Sequence, residues 1–143
     1  MPDTDLARML LLAHRTLIDE LLAGLTEWGW EDAKPGDAAI FMHIDRRSGT
    51  RLTELALRAR ITKQGMMLIV DDLERRGFVR RVPDPNDARA KLVRLTARGR
   101  RYVADARRLI AGIESRVRRD VGQRSYATLR GALEEIVGEP GSA

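Results

Sequence analysis

Residues 73–99 read LERRGFVRRVPDPNDARAKLVRLTARG. The stretch opens on a helix end, where Arg75 and Arg76 complement the carbonyl terminus and Gly77 stops the helix. Two short runs follow, FVRRV and KLVRL, both rich in apolar and β-branched residues and both of strand length. Between them, Asp84-Pro85-Asn86-Asp87 matches a type I turn, with proline second and asparagine third. The segment is therefore predicted to be a β-hairpin. Its stiff turn presents Arg89 near the tip with little backbone left to order. After Thr96 the chain returns to helix.

Immediately upstream, Leu52, Leu55, Ala56 and Ala59 mark one face of a short helix. Thr53 is its expected N-cap, with Glu54 in the first turn. The tripeptide Ala59-Arg60-Ile61 suits a tight turn, and Thr62 can cap a second helix. On that second helix, Met66, Ile69, Val70 and Leu73 follow the i, i+3, i+4, i+7 spacing of an inner face. Helix, short turn, helix and hairpin together predict a winged helix-turn-helix. Arg51, Arg60, Arg80, Arg81 and Lys91 are candidate phosphate contacts, and Thr53 can act both as cap and as phosphate ligand.

Further out the chain is helical again. Leu6, Met9, Leu10, Ala13, Leu17, Leu21 and Leu25 recur at three- and four-residue steps. The loop Trp28–Asp37 follows, and Asp37 is positioned to cap a short helix. Downstream of the hairpin, Tyr102, Val103, Ala106, Leu109, Ile110, Ile113 and Val117 share a face. After a break, so do Tyr126, Leu129, Leu133 and Ile136. These helices carry more apolar surface than a monomeric winged helix needs, and packing against a second copy covers it. The expected fold is mainly α with a small β-hairpin wing. Its divisions are an N-terminal dimerisation helix (1–30), a winged helix-turn-helix (37–96), C-terminal dimerisation helices (97–138) and a flexible tail (139–143).

The totals agree with this reading. The chain has 143 residues and a net charge of +5, which favours a polyanionic partner. It has no cysteine, which removes disulfides and thiolate metal sites. Its two histidines, His14 and His43, have no carboxylate at HExxH spacing, so no metal is expected. Neither a nucleophile–base pair nor a glycine-rich phosphate loop is recognisable, and an enzyme or a bound cofactor is not expected. MPDTD lacks a basic leader, and no apolar run reaches the ~20 residues that span a bilayer. The expected location is cytoplasmic, without membrane contact.

The residues from Leu52 to Gly99 resemble the MarR family of bacterial transcriptional regulators. The likeness is carried by LTELA, ITKQ, LERRG, the wing sequence D-P-x-D-x-R and LT-x-x-G. It implies a homodimer of winged helices on a palindromic duplex, with recognition helices in successive major grooves and wings in the flanking minor grooves. By position, Thr62, Lys63 and Gln64 begin the recognition helix. Asp87 and Arg89 match the wing's acidic and basic pair, where the acid steadies the arginine that enters the groove. The second wing arginine common in the family is replaced by Ala88. Steps of 100° place Gln64, Leu68, Asp71 and Arg75 opposite the inner face, so Leu68 and Met67 are apolar where the family is commonly polar. Base reading is expected from Lys63 and Gln64 with Thr62, and Gly65 is expected to let the backbone approach DNA closely.

The resemblance also implies a small lipophilic or anionic effector, bound between the dimerisation helices and the winged module. His14, Trp28, Trp30, Phe41 and Met42 are candidates to line its pocket, with Arg46 to receive an anion; core packing is the other reading of these residues. The expected function is a sequence-specific homodimeric regulator, acting as a repressor. Two alternatives stay open: an architectural or packaging protein with low sequence preference, and a helical protein-interaction module.

Overall fold

The computed structural model describes residues 4–138, so the predicted tail at 139–143 lies outside the described residues. In chain order the elements are α1 (Leu6–Glu27), a 3-10 turn (Pro35–Asp37), α2 (Ala38–Phe41), β1 (Thr50–Arg51) and α3 (Leu52–Ala59). They continue with α4 (Lys63–Arg75), β2 (Val79–Asp84), β3 (Asp87–Leu95), α5 (Ala97–Val121) and α6 (Gln123–Val137). The expected winged helix-turn-helix with flanking helices is thus the observed fold. Among the described residues no helix is long and apolar enough to cross a membrane.

Local chemistry places most element ends. The Thr62 hydroxyl accepts from the Gly65 amide at 3.0 Å and starts α4, and the Thr96 hydroxyl accepts from the Gly99 amide at 3.0 Å and starts α5. The turn between α3 and α4 places Arg60 at φ 55°, a left-handed conformation usually left to glycine. Gly99 has a packing reason: a Cβ there would lie 2.0 Å from the Phe78 carbonyl oxygen, so only glycine lets α5 start against the root of the hairpin.

Two expectations need correction. Helix α3 begins at Leu52 with Arg51 as its N-cap, so Thr53 lies inside the first turn and is not the cap. Asp37 precedes α2 without capping it by a side-chain hydrogen bond. The sheet also has a third strand that the sequence did not announce. Strand β1 pairs antiparallel with β3, Thr50 opposite Val93 and Arg51 opposite Leu92, giving the order β1-β3-β2.

One core joins the winged module to the inner ends of α1 and α5. Leu25, Ile40, Leu55, Met66, Val70, Leu73, Phe78, Val79, Val93, Tyr102 and Val103 belong to it. Its aromatic centre packs Tyr102 against Phe78, Phe41 and Trp30, with ring centroids 4.8, 5.0 and 5.2 Å apart. The outer half of α1 is different. Leu6, Met9, Leu11, Leu12 and Leu17 are exposed there, as are Leu129, Ile136 and Val137 on α6.

Beside the aromatic centre lies a buried polar cluster. The Asp37 carboxylate accepts from the Lys34 backbone amide at 3.0 Å, from the Tyr102 hydroxyl at 3.1 Å and from the Arg76 guanidinium. Arg76 also donates to Asp72 at 2.9 Å and to the Asp32 carbonyl at 2.8 Å. Burial pushes the Tyr102 hydroxyl well above the usual phenol range, and the neighbouring Asp37 charge adds to the shift. Burial works against the Arg76 charge, but Asp37 and then Asp72 outweigh it and hold the guanidinium above its ordinary range.

Asp37→Ala is expected to lower unfolding free energy by about 1–3 kcal/mol, because it leaves the buried Tyr102 hydroxyl without its acceptor and Arg76 with Asp72 as its one carboxylate. Adding Arg76→Met should recover part of that loss. Urea unfolding of the single and double variants measures both effects.

Candidate nucleic-acid interface

The hairpin and the two helices before it form one reading head, and three carboxylates fasten it. Strands β2 and β3 run antiparallel from Val79 opposite Leu95 to Asp84 opposite Asp87, with a register irregularity at Pro83/Asp84. Pro85 and Asn86 form the two-residue turn, and neither has a positive φ. Such a turn does not match the natural twist of a hairpin, so the ends need support. Asp84 supplies it. One carboxylate oxygen accepts from the Asn86 amide at 2.9 Å, and the other accepts from Arg51 at 2.9 Å (Nε) and 2.7 Å (Nη2).

Arg51 is therefore ion-paired at the wing root, with 45% of its side chain still exposed. The Asn86 amide and then Arg51 hold the Asp84 carboxyl below the usual carboxylate range, and hydrogen bonding to Asp84 holds Arg51 above its own. Arg81 is ion-paired as well. It donates to Glu74 at 2.8 Å and to Asp71 at 2.5 Å, and its backbone amide donates to Glu74 at 2.9 Å. These bonds tie the base of the wing to the outer face of α4. Both residues were expected at phosphates. The partner of Arg51 lies 33 positions away and those of Arg81 lie seven and ten away, where sequence spacing gives no sign of them.

At the tip, Asp87 and Arg89 meet through the backbone and not side chain to side chain. Asp87 accepts from the Arg89 amide at 3.0 Å, and the Arg89 guanidinium has no ion-pair partner among the described residues. Asp87 steadies the arginine by fixing its main chain. Arg60, Lys63 and Lys91 are exposed and likewise form no ion pair among the described residues. Thr53 and Gln64 are exposed, and the Thr62 hydroxyl is occupied by its cap. At Gly65 a Cβ would lie 2.9 Å from Ile61 Cγ2 and 3.0 Å from Thr62 Oγ1, so the capped turn itself favours glycine there.

A cavity of about 360 Å³ lies between α1, α2 and α5, beside the reading head. Phe41, Met42 and Arg46 line it as expected, together with Leu21, Leu25, Ile44 and Val103. Lys34, Asp37 and Tyr102 of the polar cluster form part of its wall, and Arg107 joins Arg46 on the exposed side. The other three candidates are elsewhere. Trp30 is buried in the core and donates to Asp105 at 2.9 Å. Trp28 is exposed, with the Arg108 guanidinium 5.6 Å from its ring centre, and His14 is exposed on α1. A separate apolar groove of about 560 Å³ runs between α1, α5 and α6, lined by Leu17, Ile113, Val117, Tyr126, Leu129 and Leu133. Among the described residues no three histidine, aspartate or glutamate side chains gather as a metal site.

Comparison with known proteins agrees with this geometry. The sequence model of the MarR family matches residues 32–90. The fold is similar to the transcriptional repressor CouR bound to a 23-mer DNA duplex, with a TM-score of 0.77 and 25% identity over 94% of this chain and 93% of that one. It is also similar to wild-type apo MarR from E. coli, with a TM-score of 0.74 and 20% identity over 95% and 99%. CouR from Rhodococcus jostii RHA1 bound to p-coumaroyl-CoA matches with a TM-score of 0.72 and 22% identity over 92% and 91%. No curated protein matches the chain in sequence. Residues 32–90 are thus similar in sequence to the MarR family, and the chain has the fold of that family's solved structures.

The Asp84 clamp makes a prediction about pH. A carboxyl whose folded pKa is depressed stabilises above its unfolded pKa and loses that contribution as pH falls through the folded value. Heteronuclear NOEs of residues 86–90 should therefore stay high from neutral pH down to about 4 and fall below it. Arg51→Met should lower the same NOEs already at neutral pH.

Proposed function

We propose that the chain is a sequence-specific homodimeric transcriptional repressor that binds a palindromic operator. The observation that carries this reading is the set of uncommitted cations on the reading head. Arg51 and Arg81 are spent on internal carboxylates, whereas Arg60, Lys63, Arg89 and Lys91 are exposed without ion pairs among the described residues. A head held rigid internally, with its remaining positive charge directed outward, suits a duplex phosphate backbone. In this reading Lys63 and Gln64 reach base edges in the major groove and Arg89 enters the minor groove. Arg60, Lys91 and Thr53 sit near phosphates. Arg51, Arg81 and Asp87 act as positioning residues. The similarity to CouR, whose structure holds a DNA duplex, supports it.

Pairing is the second part of the proposal. Residues 1–30 and 97–138 form the dimerisation helices, and a second copy covers the exposed leucines of α1 and the groove between α5 and α6. Two recognition helices about 34 Å apart then meet successive major grooves. Relief of repression is assigned to a small amphipathic anion in the cavity beside the head. Its floor is apolar, and Arg46 and Arg107 on its exposed side have no ion pair among the described residues. The CouR structure with p-coumaroyl-CoA gives the effector reading a precedent in a protein of similar fold. An effector acts here by binding more tightly to a dimer whose helices are misaligned.

Arg89→Ala should weaken binding to specific and nonspecific duplex alike. It should also flatten the slope of log K against log salt by about one unit for each wing. Fluorescence anisotropy across a salt series measures this, and an unchanged slope would remove Arg89 from the interface.

A further inference from the structure

The outer face of α4 divides into two chemistries. Met66, Val70 and Leu73 are fully buried, and the opposite face carries Gln64, Leu68, Asp71 and Arg75. In the first turn, Lys63 and Gln64 have no side-chain partner among the described residues and are available as donors. In the third turn, Asp71 and Glu74 hold Arg81, and Arg75 holds Asp72 at 2.5 Å. The second turn between them presents only carbon and sulfur. Leu68 is 71% exposed and Met67 is 42% exposed.

Single exposed leucines are common on protein surfaces. This one stands at the centre of the face opposite the core, one turn beyond the available donors, on a helix whose N-terminal end carries the unpaired cations Arg60 and Lys63, with Arg89 and Lys91 unpaired on the wing that follows it. That charge fringe fits a polyanion as the occupant. On a duplex, a leucine set against a carbonyl or amino edge strips its water and returns no hydrogen bond, which is unfavourable. The thymine C5-methyl is the apolar group on the major-groove base edges.

We propose that Leu68, with Met67 beside it, is a specificity-determining surface that reads the C5-methyl of a thymine in each half-site. The inference rests on the proposed role as a DNA-binding regulator and adds the chemistry of one operator position. Leu68 lies four residues after Gln64, about 6 Å along the helix axis. The thymine therefore falls within about two base pairs of the base that Gln64 reads, at ~3.4 Å per step. Discrimination is two-sided: the methyl gains apolar burial, while every other base edge loses water without compensation.

The test uses the full chain. A preferred duplex is first selected from random DNA, and each thymine in it is then replaced singly by deoxyuridine, which removes only the methyl. One thymine in each half-site should show a loss of about fivefold or more in affinity when replaced. With Leu68→Ala that position should become indifferent to the replacement, within about twofold, and Leu68→Gln should shift the preference there from thymine toward adenine. Leu68 is exposed, so these variants should melt at the wild-type temperature, which circular dichroism verifies. A palindrome whose uracil scan is flat, or a loss that persists unchanged in Leu68→Ala and Met67→Ala, overturns this inference alone. If no sequence is selected, the regulator reading falls and this inference falls with it.

Discussion

The carboxylate of Asp37 is the point on which the arrangement depends. It accepts from the Lys34 amide, the Tyr102 hydroxyl and the Arg76 guanidinium, and so joins the loop after α1, the start of α5 and the C-terminal end of α4. Such a group is tolerated in the interior only because its oxygens are met on several sides. Arg76 is in turn held by Asp72 and lies 5.2 Å from the Phe78 ring centre, so its position is over-determined. The same Asp37 forms part of the cavity wall. A molecule entering the cavity would meet the carboxylate that is ion-paired to Arg76 at the C-terminal end of α4.

The rest of the head is organised in the same way. Asp84 draws Arg51 onto the wing root, and Glu74 with Asp71 draws Arg81 onto α4. Much of the chain's arginine is internal fastening. The net charge of +5 favours a polyanion as partner, yet it does not say which cations would face one. That depends on which of them the acidic residues have already engaged. At the start of α4 and on the wing, Arg60, Lys63, Arg89 and Lys91 are exposed without ion pairs among the described residues.

The sequence was most legible where structure is decided within a few residues. Thr62 and Thr96 cap their helices over a span of three positions, and the two-residue turn at Pro85 and Asn86 follows from local conformational preference. The exposed position of Leu68 followed from the helical period alone. Strand β1 was not legible, because two residues carry no periodicity and the strand exists only where β3 offers an edge. That strand also leads straight into α3, which is why Arg51 and not Thr53 occupies the cap position. The roles of Asp37, Arg51 and Trp30 depend on partners 39, 33 and 75 positions away, beyond the reach of any local pattern. Of the aromatic residues expected at the cavity, Trp30 was captured by the core, where its ring packs near Tyr102 and Phe78.

The central claim is that two rigid heads are paired so that their recognition helices sit one turn of duplex apart. The chain has no cysteine, so a Leu68→Cys variant takes one spin label per subunit at the middle of α4. Pulsed dipolar spectroscopy of the free protein should give a dominant separation near ~35 Å, the spacing of adjacent major-groove half-sites. Absence of any dipolar modulation at concentrations where DNA is bound would mean that the subunits act singly, and the claim of paired heads would be wrong.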